Sequence, residues 1–380
     1  MNCVGYDLAV VGAGICGLAH ALAAARHGKR VVVIDRDAQN NGASVRNFGF
    51  ITVTGQQEGE CWRRAMRSRD IWAEIAPQAG IAVLQQGLLT VARRPTARAV
   101  LEEFCGTTMG RDCRMLEPAE VSARYDGLRT EAFAGALHSP HELRVESRDA
   151  IPRLAAFLAE RHGVTFLRET VVHAAGPPRL DTSRGPMWAN AVVVCPGDDF
   201  HTLHADRLAT YGLTRCKLHM LRLRPERHDA RLPAVMSDLG LVRYLGYAER
   251  PAAAALRREL EAEQGPHLDN GVHLIAVRSA DGSLVVGDSH HYAATPDPFA
   301  SRAVDDLILD EYGQVFAGPP PTVVERWIGT YASAPNRLML VDRPSDAIRV
   351  VVITSGTGAS TSFAIAEEVV ADLFGGDRPR

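Results

Sequence analysis

Gly12, Gly14 and Gly17, in the run Gly12-Ala13-Gly14-Ile15-Cys16-Gly17, together with Asp35, 23 residues after Gly12, have the types and spacing to hold a diphosphate ligand. The first glycine suits a tight turn, the second lets a pyrophosphate approach the backbone, and the third lets a helix pack against a strand. A helix opening at Ile15 and Cys16 presents free N–H groups and partial positive charge to that pyrophosphate. The Asp35 carboxylate can accept hydrogen bonds from a ribose 2′-hydroxyl and would repel a 2′-phosphate, which disfavours NADP. The chemistry is dinucleotide binding, and this stretch alone does not distinguish NAD from FAD. It needs a strand on each side, and the apolar runs Tyr6 to Val11 and Val31 to Ile34 supply them. Asp7, the lack of a basic leader and the lack of a small-residue cleavage site argue against a signal peptide.

Three later stretches extend the site. GASVRNFGFI, Gly42 to Ile51, follows Asp35 and Arg36 and places Ser44, Arg46, Asn47 and Phe48 where the chain would pass a pyrophosphate and ribityl region. Gly49 is expected to let the backbone lie against a flat ring. NAVVVCPGDDF, Asn190 to Phe200, reads as a buried strand of the same sheet emptying into Cys195-Pro196-Gly197. Near the C-terminus, Arg349 to Ile353 leads into Thr354-Ser355-Gly356-Thr357-Gly358-Ala359-Ser360 and, from about Thr361, a helix through Leu373. A helix N-terminus there suits a flavin, whose reduction puts negative charge at its N1–C2=O edge. An NAD domain has no need of the second and third of these stretches, so together they favour FAD.

The chain has 380 residues, 46% apolar and 23% charged, with a net charge of −3. That suits a globular protein of two domains and gives no reason to expect nucleic acid as a partner. No run approaches a membrane span. Seven cysteines, odd in number and without a CxxC pair, fit reduced thiols in a cytoplasmic protein.

Helical spacing is expected over Cys61 to Ala76, Ala97 to Phe104, Glu117 to Ala123, Ser147 to His162 (capped by Ser147), Ala252 to Glu263 and Ala300 to Phe316. Strands are expected at Leu88 to Ala92, Val164 to Leu167, Arg215 to Pro225, Ile275 to Arg278 and Val324 to Ile328, with Glu169 to His173 extended and Leu338 to Val341 short. Asp281-Gly282 marks a hairpin turn into Ser283 to Asp288. Arg243 to Tyr247 is a further strand candidate, and Leu137 to Leu143 reads as a loop. The fold class is α/β, a Rossmann-like FAD-binding domain (1–85, 145–212 and 322–380) with a mostly antiparallel β substrate domain (86–144 and 213–321).

Hydride transfer to a bound flavin asks a site chiefly to orient the C–H bond and exclude water, so no catalytic triad is expected. His290 and His291 could face the pocket. Lys217 or His219 could lie near the flavin and assist reoxidation by O2, and Trp327 could wall the pocket. No metal-ligand spacing or nucleophile elbow is present.

VVGAGICGLAHA with Asp35, GASVRNFGFI, VVVCPG and RVVVITSGTGAST, in this order, resemble the D-amino-acid oxidase superfamily of FAD enzymes, in its glycine oxidase and sarcosine oxidase branch. The resemblance implies oxidation of a C–N bond by hydride transfer to flavin N5, imine hydrolysis, and reoxidation by O2 or another acceptor. Covalent attachment in that branch uses a C-terminal cysteine, and none follows Cys216, so FAD is expected to be non-covalent. Val171 and Val172 join the expected cofactor contacts. Members acting on amino acids carry an arginine after the strand corresponding to VERWIGTYA, where Tyr331 stands here. Compensating cations are Arg46, Lys217 or Arg243, the last beside Tyr244 and Tyr247. The form GASVRNFGF is similar to a subgroup associated with phosphonate utilisation, which implies a small anionic amine, an aminoalkylphosphonate or its N-methyl derivative. A glycine- or sarcosine-type amino acid and a 2-hydroxy acid are the alternatives.

Overall fold

The computed structural model describes residues 5–227 and 229–375, arranged around two β-sheets. In the first, Tyr6–Val11 lies between Gly185–Val194 and Val31–Ile34, parallel to both. Ile348–Ile353 extends the sheet beyond Gly185–Val194, Thr165–Leu167 extends it beyond Val31–Ile34, and Met339–Ser345 adds an antiparallel edge. These central strands are continuous β-branched runs because both faces are covered. One face carries the helices Ile15–Arg26, Glu60–Gln78, Ser147–His162 and Gly358–Phe374, packed through Leu18, Leu22, Trp72, Leu154 and Phe363. The other is covered by an apolar layer including Val172, Leu180 and Leu208.

The second sheet is mostly antiparallel, with one parallel pair between Ala234–Met236 and Val83–Ala92. Thr214–Arg224 runs through it, paired along its length with Thr322–Ser333 and on its other side with Leu284–Gly287 and His291–Ala293. Residues 322–333 therefore pair with this sheet, whereas Met339–Ser345 and Ile348–Ile353, further along the same expected stretch, pair with the first. The Ile275–Arg278/Leu284–Gly287 hairpin forms as expected.

Several local expectations differ from the structure. Leu137 to Leu143 is no loop but part of the strand Gly135–Val145. Pro140 cannot donate to a ladder; the register against Val83–Ala92 shifts between Gln86 and Leu88, where Gly87 at φ +79° passes Ser139. Arg243 to Tyr247 is no strand: a 3₁₀ turn at Asp238–Val242 runs into a helical turn at Leu245–Ala248, held by Tyr247 N donating to Tyr244 O at 2.9 Å. Glu169 has φ +51°, which breaks the extended stretch before Val172–Gly176. Glu146, not Ser147, is the N-cap of Ser147–His162.

Candidate active site

Gly12 sits at φ +102°, and a Cβ there would lie 2.4 Å from the Cys195 carbonyl oxygen. A Cβ on Gly17 would meet the Gly12 carbonyl oxygen at 1.9 Å, and one on Gly14 the Ser44 hydroxyl at 2.9 Å. The glycines thus let the first turn touch the end of Gly185–Val194, its own helix and the Ser44 loop at once. Ile15 N donates to Ser44 Oγ at 2.9 Å, and Asn40 Nδ2 to the Ala13 carbonyl at 2.6 Å. Asp35 accepts from Ala13 N at 2.6 Å and Asp37 N at 2.9 Å, which fixes the carboxylate at the end of its strand. Arg36 pairs with Asp199 at 2.8 Å. His20 lies with Nδ1 2.7 Å from the Cys16 carbonyl oxygen and 3.8 Å from the Cys195 sulfur, tying helix to strand end.

These elements border a cavity of about 1200 Å³ that runs from Asp35 past the first turn to the second sheet. The expected cofactor residues line it: Gly12, Gly14, Ile15, Cys16, Asp35, Arg36, the Ser44 and Arg46–Phe48 loop, Val171, Val172, Cys195–Gly197, Gly356–Gly358 and Ser360. Two do not. Gly49 faces away, since a Cβ there would lie 1.9 Å from the Val145 carbonyl oxygen, so it serves strand packing and not a ring. Thr361 turns back to donate to the Thr357 carbonyl at 3.0 Å. At the far turn Gly356 has φ +72°, and a Cβ would come 3.2 Å from the Tyr331 ring. Thr357 caps the helix Gly358–Phe374 without a side-chain bond; Ser360 N donates to the Thr357 carbonyl at 2.9 Å, and Gly358 and Ala359 border the cavity near Tyr331.

The end beyond Tyr331 is polar. Arg243 Nη2 donates to the Tyr292 hydroxyl at 3.0 Å. Burial opposes the Arg243 charge, and Tyr331, Tyr292 and Asp288 around it more than offset this, raising its pKa above the ordinary arginine value. Tyr244 and Tyr331 line the same end, and burial raises both phenols. His290 lines it too, with Nδ1 2.9 Å from the Gly271 carbonyl and its ring stacked on His273 at 5.1 Å. Arg46 borders the cavity, its guanidinium bound to Asn41 Oδ1 at 2.8 Å.

Five residues expected at the site lie elsewhere, among them His291, whose ring centroid is 6.0 Å from that of His219 and whose Nε2 lies 3.1 Å from Asn270 Oδ1. Side chains alternate along Thr214–Arg224, so Cys216, Leu218 and Met220 face Phe48 and the cavity side. Lys217 and His219 then point to the opposite face. Lys217 pairs with Asp297 at 2.8 Å, and His219 Nδ1 lies 3.1 Å from Asp305 on the helix Arg302–Val315. Trp327 donates from Nε1 to the Arg46 carbonyl at 3.0 Å and braces that loop from behind. Tyr247 is fully buried against Phe104 with ring centroids 4.7 Å apart, a core residue.

The structure adds lining residues that pattern did not reveal. Gly55–Gln57, Ala334–Leu338, His273 and Asp288 all border the cavity. Asp288 stands directly after the hairpin strand Leu284–Gly287. Burial pushes its carboxyl up to about 7, with Arg243 pulling the other way.

A parallel sheet with a glycine turn at the end of its first strand, a second glycine turn at the far end of the chain and an antiparallel sheet closing the cavity define a flavin-dependent oxidoreductase fold. The chain belongs to the FAD dependent oxidoreductase family (DAO), whose model it matches over residues 7–373. Among curated proteins it is 25% identical over 208 residues to a glycine oxidase of Geobacillus kaustophilus (strain HTA426), covering 50% of this chain and 54% of that one. It is 23% identical over 200 residues to a monomeric sarcosine oxidase of Bacillus sp. (strain B-0618), covering 50% and 51%. The matched stretch thus spans about half the length of these relatives. The fold is shared with glycine oxidase from Bacillus cereus ATCC 14579, at TM-score 0.78 and 15% identity over 98% of this chain and 96% of that one. L-proline dehydrogenase from P. horikoshii superposes at TM-score 0.78 and 17% identity, covering 97% and 93%. The cofactor of the family is FAD, and the residues here fit it: the cavity is long, and its glycines leave no Cβ where the backbone must approach a diphosphate.

Proposed function

We propose that this chain oxidises the C–N bond of a small anionic amine, an aminoalkylphosphonate or its N-methyl derivative, with non-covalent FAD. The observation that carries this reading is Arg243, a guanidinium on the cavity wall with one Nη held by Tyr292 and its remaining donors open to a ligand. A planar fork of this kind suits a phosphonate or carboxylate. Tyr292, Tyr244 and Tyr331 around it add hydroxyls to suit an anion of more than one charge. Bound FAD supplies the hydride acceptor. Arg243 holds the anionic end, Tyr331 and Leu218 flank the path between it and the Gly356 turn, and the buried walls exclude water. Release of ammonia or methylamine follows hydrolysis of the imine, with O2 or another acceptor taking the electrons.

In this reading Gly12, Gly14, Ser44, Asp35 and Cys195–Gly197 hold the AMP and diphosphate half, and the Gly356–Gly358 turn meets the ring. The first sheet and its helices form the cofactor unit. The second sheet, with residues 322–333, forms the substrate unit. Lys217 and His219 have no part in catalysis here. The glycine and sarcosine oxidase relatives favour a second reading, a simple amino acid held by the same Arg243. Anaerobic mixing of the yellow holoprotein with each class tests this. Bleaching by aminoalkylphosphonates supports the first reading; bleaching by glycine or sarcosine alone supports the second.

A further inference from the structure

Several elements bring ionisable groups to the polar end of the cavity. Asp288 follows Leu284–Gly287, His290 stands two residues on, and His273 precedes Ile275–Arg278. Arg243 and Tyr244 come from the turn after Asp238–Val242, Tyr331 from Thr322–Ser333, Tyr292 from His291–Ala293 and Cys216 from Thr214–Arg224. Asp288 is 4% exposed, and its Oδ1 has no hydrogen-bond partner among the described residues. Oδ1 lies 3.3 Å from Nδ1 of His273, and Oδ2 lies 3.7 Å from Nε2 of His290.

Neither histidine neutralises it. Burial and the nearby Arg243 hold both imidazoles well below their ordinary pKa, so both are neutral near pH 7. With Nδ1 of His290 turned to the Gly271 carbonyl, its Nε2 faces Asp288 as an acceptor. Arg243 is the cation of this corner, yet no ion pair within 4.0 Å joins it to Asp288 among the described residues. A buried carboxylate oxygen without a partner is costly, and a ligand donor at that point relieves the cost. The cavity end is thus polarised, with a guanidinium on one side and an unpaired carboxylate on the other.

We propose that Asp288 receives the ammonium group of the substrate and takes its proton before hydride transfer. The proposal rests on the reading of the substrate as an anionic amine, with its anion at Arg243. In the step, one N–H bond of the ammonium breaks and an Oδ–H bond forms on Asp288. The electron pair stays on nitrogen, and nothing is oxidised or reduced. The freed pair then assists departure of hydride from the neighbouring carbon. His290 and His273 pack beside the carboxylate without a hydrogen bond to it.

The test uses the FAD-loaded full chain and ligands that lack an α-hydrogen: α-aminoisobutyrate against pivalate, in which a methyl replaces the amino group, and the two matching phosphonates. Dissociation constants come from perturbation of the flavin spectrum. The wild-type chain is expected to prefer the amine member of a pair by at least about tenfold, since a desolvated charge contact is of that size or larger. Asp288→Asn is expected to reduce the preference below about threefold while leaving the amine-free member within about threefold of wild type. Should the asparagine variant not retain flavin, Asp288→Ser is measured in its place. A preference that survives in either variant overturns the proposal, as does a stoichiometric divalent cation in the purified protein held by His273, Asp288 and His290. If the phosphonates do not bind but the carboxylate pair shows the preference and its loss, the phosphonate reading fails and this one stands. If none of the four ligands binds, both are overturned.

Discussion

Arg243 donates to the Tyr292 hydroxyl across 3.0 Å, so the guanidinium at the polar end of the cavity arrives already oriented by a residue of the strand His291–Ala293. Tyr292 is half exposed, which places the pair on the open side of the site. An anion entering there meets a fixed fork instead of a mobile side chain, and less ordering remains to be done on binding.

Replacing that fork with a point charge tests its role. Arg243→Lys is expected to raise KM for the anionic amine about 10- to 100-fold, from loss of charge-assisted hydrogen bonds worth about 1.5–3 kcal/mol, with kcat changed less. Tyr292→Phe removes one orienting contact and is expected to raise KM less than about tenfold. Steady-state kinetics with both variants measures the split. An unchanged KM in Arg243→Lys would remove Arg243 from substrate binding.

Gly12 and Gly185 share a backbone conformation, φ +102° and +99°, but differ in surroundings. Gly12→Ala drives a Cβ into the Cys195 carbonyl, whereas Gly185→Ala points into open space. Both carry the strain of alanine at positive φ, about 1–3 kcal/mol. Only Gly12→Ala is expected to lose bound flavin as well. Flavin-to-protein absorbance ratios and thermal midpoints of the two variants distinguish strain from contact.

Lys217 lies on the far face of its strand with Asp297. Lys217→Met is therefore expected to leave the rate of flavin reoxidation by O2 within about twofold of wild type. Its stability cost is that of a half-exposed ion pair, about 0–1 kcal/mol. Stopped-flow reoxidation measures the first. A large fall in that rate would place Lys217 at the flavin after all.

Asp288 gives a pH signature of defined sign. Its carboxyl, ordinarily near 3.8, is pushed up to about 7 by burial. As the proton acceptor it must be ionised, so kcat/KM is expected to rise with pH through about 7 and to lose that limb in Asp288→Asn. Folding shows the opposite trend. Between 3.8 and about 7 the folded state keeps a proton that the unfolded chain releases, so stability falls as pH rises across this window. Urea midpoints of wild type and Asp288→Asn across that range measure it; parallel curves would remove Asp288 as the source.

What the sequence discloses here depends on range. Gly12–Gly17, Asp35 and the Ser147–His162 helix are local patterns, and each takes its expected place. Lys217 and His219 misled because the alternation along Thr214–Arg224 sets them apart from Cys216, Leu218 and Met220 without saying which of the two buried faces looks onto the cavity. Pro140 looked like a loop residue because the bulge that accommodates it lies on another strand, at Gly87. Asp288, His273 and Arg243 share a corner only through the hairpin and the turn after Val242, and no spacing in the chain links them. Gly49 is a place of close approach, as its position in the loop suggests, but its neighbour is the Val145 carbonyl and not a ring.

Anaerobic titration of the purified yellow protein tests the central claim most directly. The account predicts that an aminoalkylphosphonate or its N-methyl derivative bleaches the visible flavin band in wild type and, at the same concentration, fails to do so in Arg243→Lys. A band that no anionic amine bleaches, or one that 2-hydroxy acids bleach instead, would contradict it.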